Sequence, residues 1–228
     1  MNQPLPGPWV EQWLSRPRLG RYLAECGGDR SRALETYEWN LRLAHAVLRD
    51  TAHFEVALRN AYDRAIQARW NRPGHWLFDS SSPVSAPLWR STHGRRLDVN
   101  IPNRKAVAEA VNRSNRGAAT PGAVIAELPF GFWWHLSDAA HERTVWIPYI
   151  YYAWPQGTAR RQIDRSVYSV NALRNRAAHS EPLFGLSGWG SVVSVHQRIV
   201  DLLGLLNSDL AGYVRQTSTV SAVIAGRP

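Results

Sequence analysis

Apolar residues return at spacings of three, four or seven along most of a stretch in the first third of the chain, at Leu34, Tyr37, Leu41, Leu48, Leu58, Tyr62 and Ile66. That period is the signature of one helix with a single buried face, capped by Asp29 or Ser31 and running to about Trp70. A short helix over Arg18 to Glu25 precedes it and ends at Gly27-Gly28, where residues that tolerate positive φ can close the last turn. Between Asn71 and Pro102 the pattern fails. Pro73, Gly74, Pro83, Pro87 and Gly94 punctuate it, while Trp76, Phe78, Leu88 and Trp89 can anchor it, which predicts an irregular but ordered connection over 71–102. Helical periodicity resumes over Asn103 to Asn115 and Thr120 to about Leu136, with Gly117 between them and Thr120-Pro121 as cap and first turn of the second. Glu142 to Trp154 is rich in aromatic and β-branched residues and reads as strand or helix, with Pro148 breaking either.

From Thr158 the sequence Ile163, Val167, Val170, Leu173 predicts a helix that reaches His179, and Pro182 forbids its extension. A further helix over Ser191 to about Leu206 carries Val192, Val195, Ile199, Leu202, Leu203 and Leu206, and a shorter one surrounds Leu210 to Val214. The pattern as a whole predicts an all-α bundle with a long irregular connection after the second helix. Residues 1–15 read as an N-terminal extension and 216–228 as a C-terminal tail around one domain of 228 residues. No period-two strand pair, phosphate-binding glycine loop or metal-ligand cluster stands out.

Composition narrows the function classes. The most apolar stretch, Val145 to Trp154, contains Pro148 and is too short to span a bilayer, and the N-terminus has neither a basic start nor a sustained apolar run. A cytoplasmic protein without membrane partners is expected. Cys26 is the only cysteine, which excludes an internal disulfide framework and any thiolate cluster. The 27 basic residues outnumber 18 acidic ones for a formal charge of +9, and Lys105 is the only lysine among them. Guanidinium groups present a planar fork that matches phosphate oxygens, so polyanions are the expected partners.

Candidate chemistry lies at the predicted helix end. Arg174-Asn175-Arg176-Ala177-Ala178-His179 places a permanent cation five residues before a titratable imidazole. On an ideal helix these two residues stand about 140° apart, whereas Asn175 and His179 share a face at i, i+4. Either Arg174 reaches around the helix, or the helix distorts, or a two-fold axis brings two arginines and two histidines into one groove. Arg176, three residues before His179, is a rival for any phosphate contact. On the long helix Glu55 and Arg59 form an i, i+4 pair that can orient one another or hold the second helix, with Asn60 beside them.

Three segments resemble a known family: RLGRYLAECGGDRSRALETYEWNLRLAHAVLRDTAHFEVALRN from Arg18 to Asn60, LPFGFWWHL from Leu128 to Leu136, and LRNRAAHSEPLF from Leu173 to Phe184. Together, in this order, they are similar to the Abi-like abortive-infection proteins of the HEPN superfamily of helical nucleotide-binding and RNase domains. The resemblance covers most of residues 14–206 and implies a HEPN-type helical bundle. Active members are metal-independent endoribonucleases, commonly dimeric, that serve in phage defence or as toxins, while many members are inactive. It also implies that Arg174 and His179 are the motif pair. Asn175 and Arg176 by their places beside that pair, and Glu55, Arg59 and Asn60 by theirs on the long helix, are expected as supporting or substrate-binding residues. No cofactor or metal is expected, and an antitoxin or another regulatory protein is a further expected partner.

The residues fit that expectation chemically. RNA cleavage through its own 2′-hydroxyl needs a base, an acid and positive charge on the crowded phosphate. An imidazole such as that of His179 can act as base or acid, and Arg174 is the expected stabiliser of phosphate charge. Ser180 stands where similar proteins often carry a second polar ring or amide, which counts against two-histidine chemistry within one motif. The aromatic run Trp146, Tyr149, Tyr151, Tyr152 and Trp154, followed by Arg160-Arg161, reads mainly as core with one or two rings exposed. Two other classes stand beside the nuclease: a catalytically inactive module that binds RNA or a protein, and a DNA binder, although neither a compact helix-turn-helix nor a basic zipper is present.

Overall fold

Helix α3, Arg30–Gln67, is the spine on which the other elements are hung in a computed structural model that describes residues 7–92, 94–114 and 119–228. Its 38 residues reach about 57 Å at 1.5 Å per residue. Asp29 caps it by accepting the amide of Arg32 at 3.0 Å, so of the two expected caps the aspartate is used. A line of buried residues, including Tyr37, Leu43, Val47, Phe54, Leu58, Tyr62 and Ile66, runs its full length. Helix α2, Arg16–Glu25, folds back onto it through Gly27 and Gly28, both at positive φ, where a side chain would strain the turn.

The expected N-terminal extension is structured from residue 7 onward. Helix α1, Trp9–Leu14, buries Val10 and Leu14 with Leu19, Tyr22, Ala33 and Tyr37 in a small second core at the start of α3. Residues 1–6 lie outside the described residues.

The 71–102 connection is more regular than expected. A 3₁₀ turn over Trp76–Phe78 buries Trp76 and Leu77, and strands β1, Trp89–Thr92, and β2, Arg95–Asp98, pair antiparallel with Trp89 opposite Asp98 and Arg90 opposite Leu97. Helix α4, Ile101–Ser114, follows; Asn115 and Gly117, the expected helix end and separator, lie outside the described residues. The single helix expected over Thr120 to Leu136 is two: α5, Pro121–Glu127, and α6, Phe130–His135. Pro129 causes the break, because it lacks an amide hydrogen and forces Leu128 into extended backbone at ψ 132.

Glu142 to Trp154 is helical in short turns, with a π turn over Glu142–Trp146 and a 3₁₀ turn over Ile150–Ala153. Helix α7, Arg160–Ala178, then packs its apolar face, Ile163, Val167, Val170, Leu173 and Ala177, against α3. Helices α8, Val192–Leu206, and α9, Ser208–Thr217, complete the bundle, capped by Ser191 and Asn207. The expected C-terminal tail also docks: α10, Val220–Ala225, lies on α3, buries Val220, and its Val223 carbonyl accepts the indole N–H of Trp39 at 2.6 Å. The fold is all-α with one two-stranded ribbon among the described residues.

Candidate functional site

The C-terminal end of α7 is shaped by a Schellman motif. Glu181 N–H donates to Arg176 O at 2.9 Å and Ser180 N–H to Ala177 O at 3.0 Å, with Ser180 at φ +52. Glycine is the usual occupant of that left-handed position; here a serine holds it, and Pro182 follows. His179 is the C-cap residue, at φ −91 and ψ 10, with its amide still bonded to Asn175 O at 3.0 Å. Its side chain is exposed. Among the described residues no hydrogen bond or ion pair engages its ring, whereas the rings of His75, His135, His141 and His196 each meet a carboxylate.

Arg174 lies close enough to Glu55 on α3 to alter that carboxyl: burial pushes the Glu55 pKa up, and the charges of Arg174 and Arg59 pull it part of the way back. Arg174 also donates to Asn175 Oδ1 at 3.4 Å, and Arg59 donates to Ala126 O at 3.4 Å. The structure therefore gathers Arg174, Asn175, Glu55 and Arg59 into one group where α7 crosses α3. No hydrogen bond joins Arg174 to His179 among the described residues, and α7 stays regular up to Ala178, so of the three alternatives the distorted helix does not occur. Asn60 is exposed on α3. Arg176 is committed locally, donating to Pro182 O at 3.1 Å and pairing with Glu181 at 3.7 Å, which makes it a brace of the turn rather than a free phosphate ligand.

Two arginines outside the motif lie beside the turn that follows α7. Arg18 Nη2 donates to His179 O at 3.3 Å, and Arg18 and Arg21, on successive turns of α2, line a pocket of about 340 Å³ with Ser15, Pro17, Glu181 and Pro182. Their i, i+3 spacing was the available signal. The segment after the turn is fixed from α3: buried Asn40 donates to Glu181 O at 3.1 Å and accepts from Leu183 N at 2.7 Å.

Other expected features are structural. Trp146 and Trp154 are buried, and Tyr152 is the exposed ring of the aromatic run, with the Arg69 guanidinium 3.3 Å over it. Arg160 is held by Glu142 at 3.2 Å, Asp164 at 3.1 Å and Ser137 O at 2.9 Å, so it is engaged within the bundle. Asp50, His196 and Ser218 have the composition of a nucleophilic triad but not its geometry. His196 Nε2 meets both Asp50 Oδ2, at 3.0 Å, and Ser218 Oγ, at 3.1 Å, while Ser218 gives its proton directly to Asp50 at 2.5 Å.

His135 and His141 flank the turn that follows α6. In the structure they share Asp138, at 3.2 and 2.7 Å, and form with it a three-ligand group that the sequence reading missed. Among the described residues no helix is long and apolar enough to cross a membrane. No family model, curated protein or solved structure matches the chain.

Proposed function

We propose that this protein is a metal-independent endoribonuclease of the HEPN type, acting as a homodimer in phage defence or as a toxin in the cytoplasm. The observation that carries the reading is the free imidazole of His179 at the end of α7, beside a pocket lined by Arg18 and Arg21. A ring without an internal partner is available to a substrate proton, and the arginines suit a phosphodiester backbone.

In the reaction, the 2′-oxygen of a ribose attacks the adjacent phosphorus as a base removes its proton. The bond from phosphorus to the 5′-oxygen breaks, and that oxygen takes up a proton. The products are a 2′,3′-cyclic phosphate and a 5′-hydroxyl. His179 serves as base or acid. Arg174 stabilises charge on the phosphate, and its position at the Glu55 group supports sharing between chains: a two-fold partner supplies the arginine that one chain directs away from its own His179.

The test is cleavage of labelled RNA in EDTA by the parent and by His179→Ala. Loss of cleavage in the variant, with cyclic-phosphate ends from the parent, supports the reading. Equal cutting by both, or 5′-phosphate ends, overturns it. Mixing Arg174→Ala with His179→Ala chains tests sharing, which requires activity to reappear in the mixture. The charge of Arg174 acting on the Glu55 carboxyl also favours a second reading, an inactive module that binds RNA or a regulatory protein such as an antitoxin. RNA binding without cleavage by the parent would select it.

A further inference from the structure

The geometry points to a binding site for one divalent transition-metal ion, zinc by its ligand chemistry, formed by His135, Asp138 and His141 at the junction of α6, α4 and the β-ribbon. His135 Nε2 and His141 Nδ1 both face the Asp138 carboxylate, at 3.2 and 2.7 Å, and one donor atom from each of the three residues lies within 4.8 Å of the others. Tetrahedral zinc holds its ligand atoms about 3.3 Å apart, so side-chain adjustments of about 1 Å close the shell.

The outer nitrogens settle which faces of the rings are available. Asn100 Nδ2 donates to Pro83 O at 2.9 Å and to Ala86 O at 2.7 Å, which fixes its amide with Oδ1 turned inward as an acceptor. That oxygen accepts from Asn103 Nδ2 at 3.0 Å, so Asn103 is oriented too, with its own Oδ1 free to accept. His141 Nε2 lies 2.8 Å from Asn100 Oδ1, and His135 Nδ1 lies 2.8 Å from Asn103 Oδ1. Both outer nitrogens must therefore carry hydrogen. In neutral rings this leaves both inner nitrogens with lone pairs aimed at a carboxylate that also has only lone pairs to offer.

A cation at the centre converts this opposition into coordination. The arrangement of ligating histidines whose far N–H groups donate to fixed oxygens is the outer support that metal sites use to hold tautomer and ring angle. Two nitrogens and one carboxylate oxygen suit zinc and its first-row neighbours rather than calcium or magnesium, and they leave a fourth position for water. His141 is wholly buried, while the side chains of His135 and Asp138 are each 23% exposed, so an ion can enter. A cavity of about 310 Å³ lined by Pro102, Asn103, Phe132, Trp134 and His135 adjoins the site.

The site is separate from the proposed nuclease centre. Ser137, beside Asp138, accepts from Arg160 at the start of α7, whereas His179 ends that helix about 28 Å away. The ion would clamp the end of α6 to the 3₁₀ turn over Ala139–His141, with Asn103 of α4 and Asn100 holding the two rings from outside. The experiment is zinc titration of EDTA-stripped, dialysed full-length protein by calorimetry, with cobalt substitution read by visible absorption and thermal melting alongside. The expected result is one zinc per chain, a raised melting temperature, and intense cobalt bands of a low-coordinate site. His135→Gln, whose apo form should keep the parent's circular dichroism, is expected to lose at least tenfold in affinity, and Asn103→Ala should lose 10–100-fold through the outer support. Absence of stoichiometric binding by the parent, or unchanged binding by His135→Gln, overturns the assignment. RNA cleavage in EDTA is a separate readout, so either proposal can fail alone.

Discussion

Replacing Asn40 by alanine should destabilise the protein by about 2–4 kcal/mol, because one buried side chain holds both backbone groups that follow the His179 turn. Its amide donates to Glu181 O at 3.1 Å and its oxygen accepts from Leu183 N at 2.7 Å, in a site with no solvent exposure at Asn40 and 3% at Leu183. A buried polar group left without a partner costs about 1–3 kcal/mol. The Leu183 amide belongs near the top of that range because water cannot reach it. Glu181 is only half-buried, so its carbonyl can recruit solvent and contributes about 1 kcal/mol. Urea unfolding at neutral pH, followed by tryptophan fluorescence, measures the difference. Hydrogen exchange at the Leu183 amide provides an independent readout and should accelerate in the variant. A stability change below about 0.5 kcal/mol with unchanged Leu183 protection would refute the accounting, since an unmet buried amide cannot be free of cost.

Ser180→Gly should raise stability by up to about 1 kcal/mol, since φ +52 costs a side chain about 1–2 kcal/mol and glycine returns part of this through its freer unfolded chain; calorimetric melting checks it, and a fall contradicts it. Asp50 should contribute to acid unfolding. Burial pushes its carboxyl up, but hydrogen bonds from His196 and Ser218 and the charge of Arg49 more than offset this and leave the pKa lowered. A lowered carboxyl pKa contributes stability above the ordinary carboxylate value of about 3.9 and loses it as pH falls through the depressed value. Urea titrations from acid to neutral pH should therefore show a flatter acid limb for Asp50→Asn than for the parent. If the Arg18–Arg21 pocket carries RNA, alanine at either position should reduce the slope of log affinity against log salt by about 0.7 for each phosphate it no longer neutralises, as read by fluorescence anisotropy. An unchanged slope would remove that residue from the interface.

The elements visible in the sequence are those with enough turns for a period to build up. Helix α3, with its buried line from Tyr37 to Ile66, and α7 and α8 each repeat their apolar spacing several times before they end. Helices α1 and α10 have six residues each, too few to establish a period, and their stability comes from packing against residues distant in sequence, as between Trp39 and Val223. The β-ribbon was hidden for a different reason. Three of the four residues in β2 are exposed, so no inward face marks Arg95 to Asp98 as a strand, and its attachment comes from Arg90, which donates twice to Ala140 O at 2.6 and 3.2 Å.

The same division explains what could be read of the two sites. The angular separation of Arg174 and His179 is a property of any α-helix, so the sequence already contained the reason that no hydrogen bond joins them within one chain. What lay beyond it was the direction each takes, because Glu55 and Arg18 come from α3 and α2. For His135 and His141 the local string His135-Leu136-Ser137-Asp138-Ala139-Ala140-His141 holds the whole inner group, yet a continuous helix would have set the two histidines about 120° apart around its axis and about 9 Å apart along it. They converge because α6 ends at His135 and Asp138 caps a separate 3₁₀ turn over Ala139–His141. The orientation of their rings is set from outside that string, by Asn100 and Asn103, whose amides are in turn fixed by the carbonyls of Pro83 and Ala86. The connection and the first turn of α4 thus acquire a structural purpose: Asn100 and Asn103 supply the oxygens that decide which nitrogen of each histidine faces the centre.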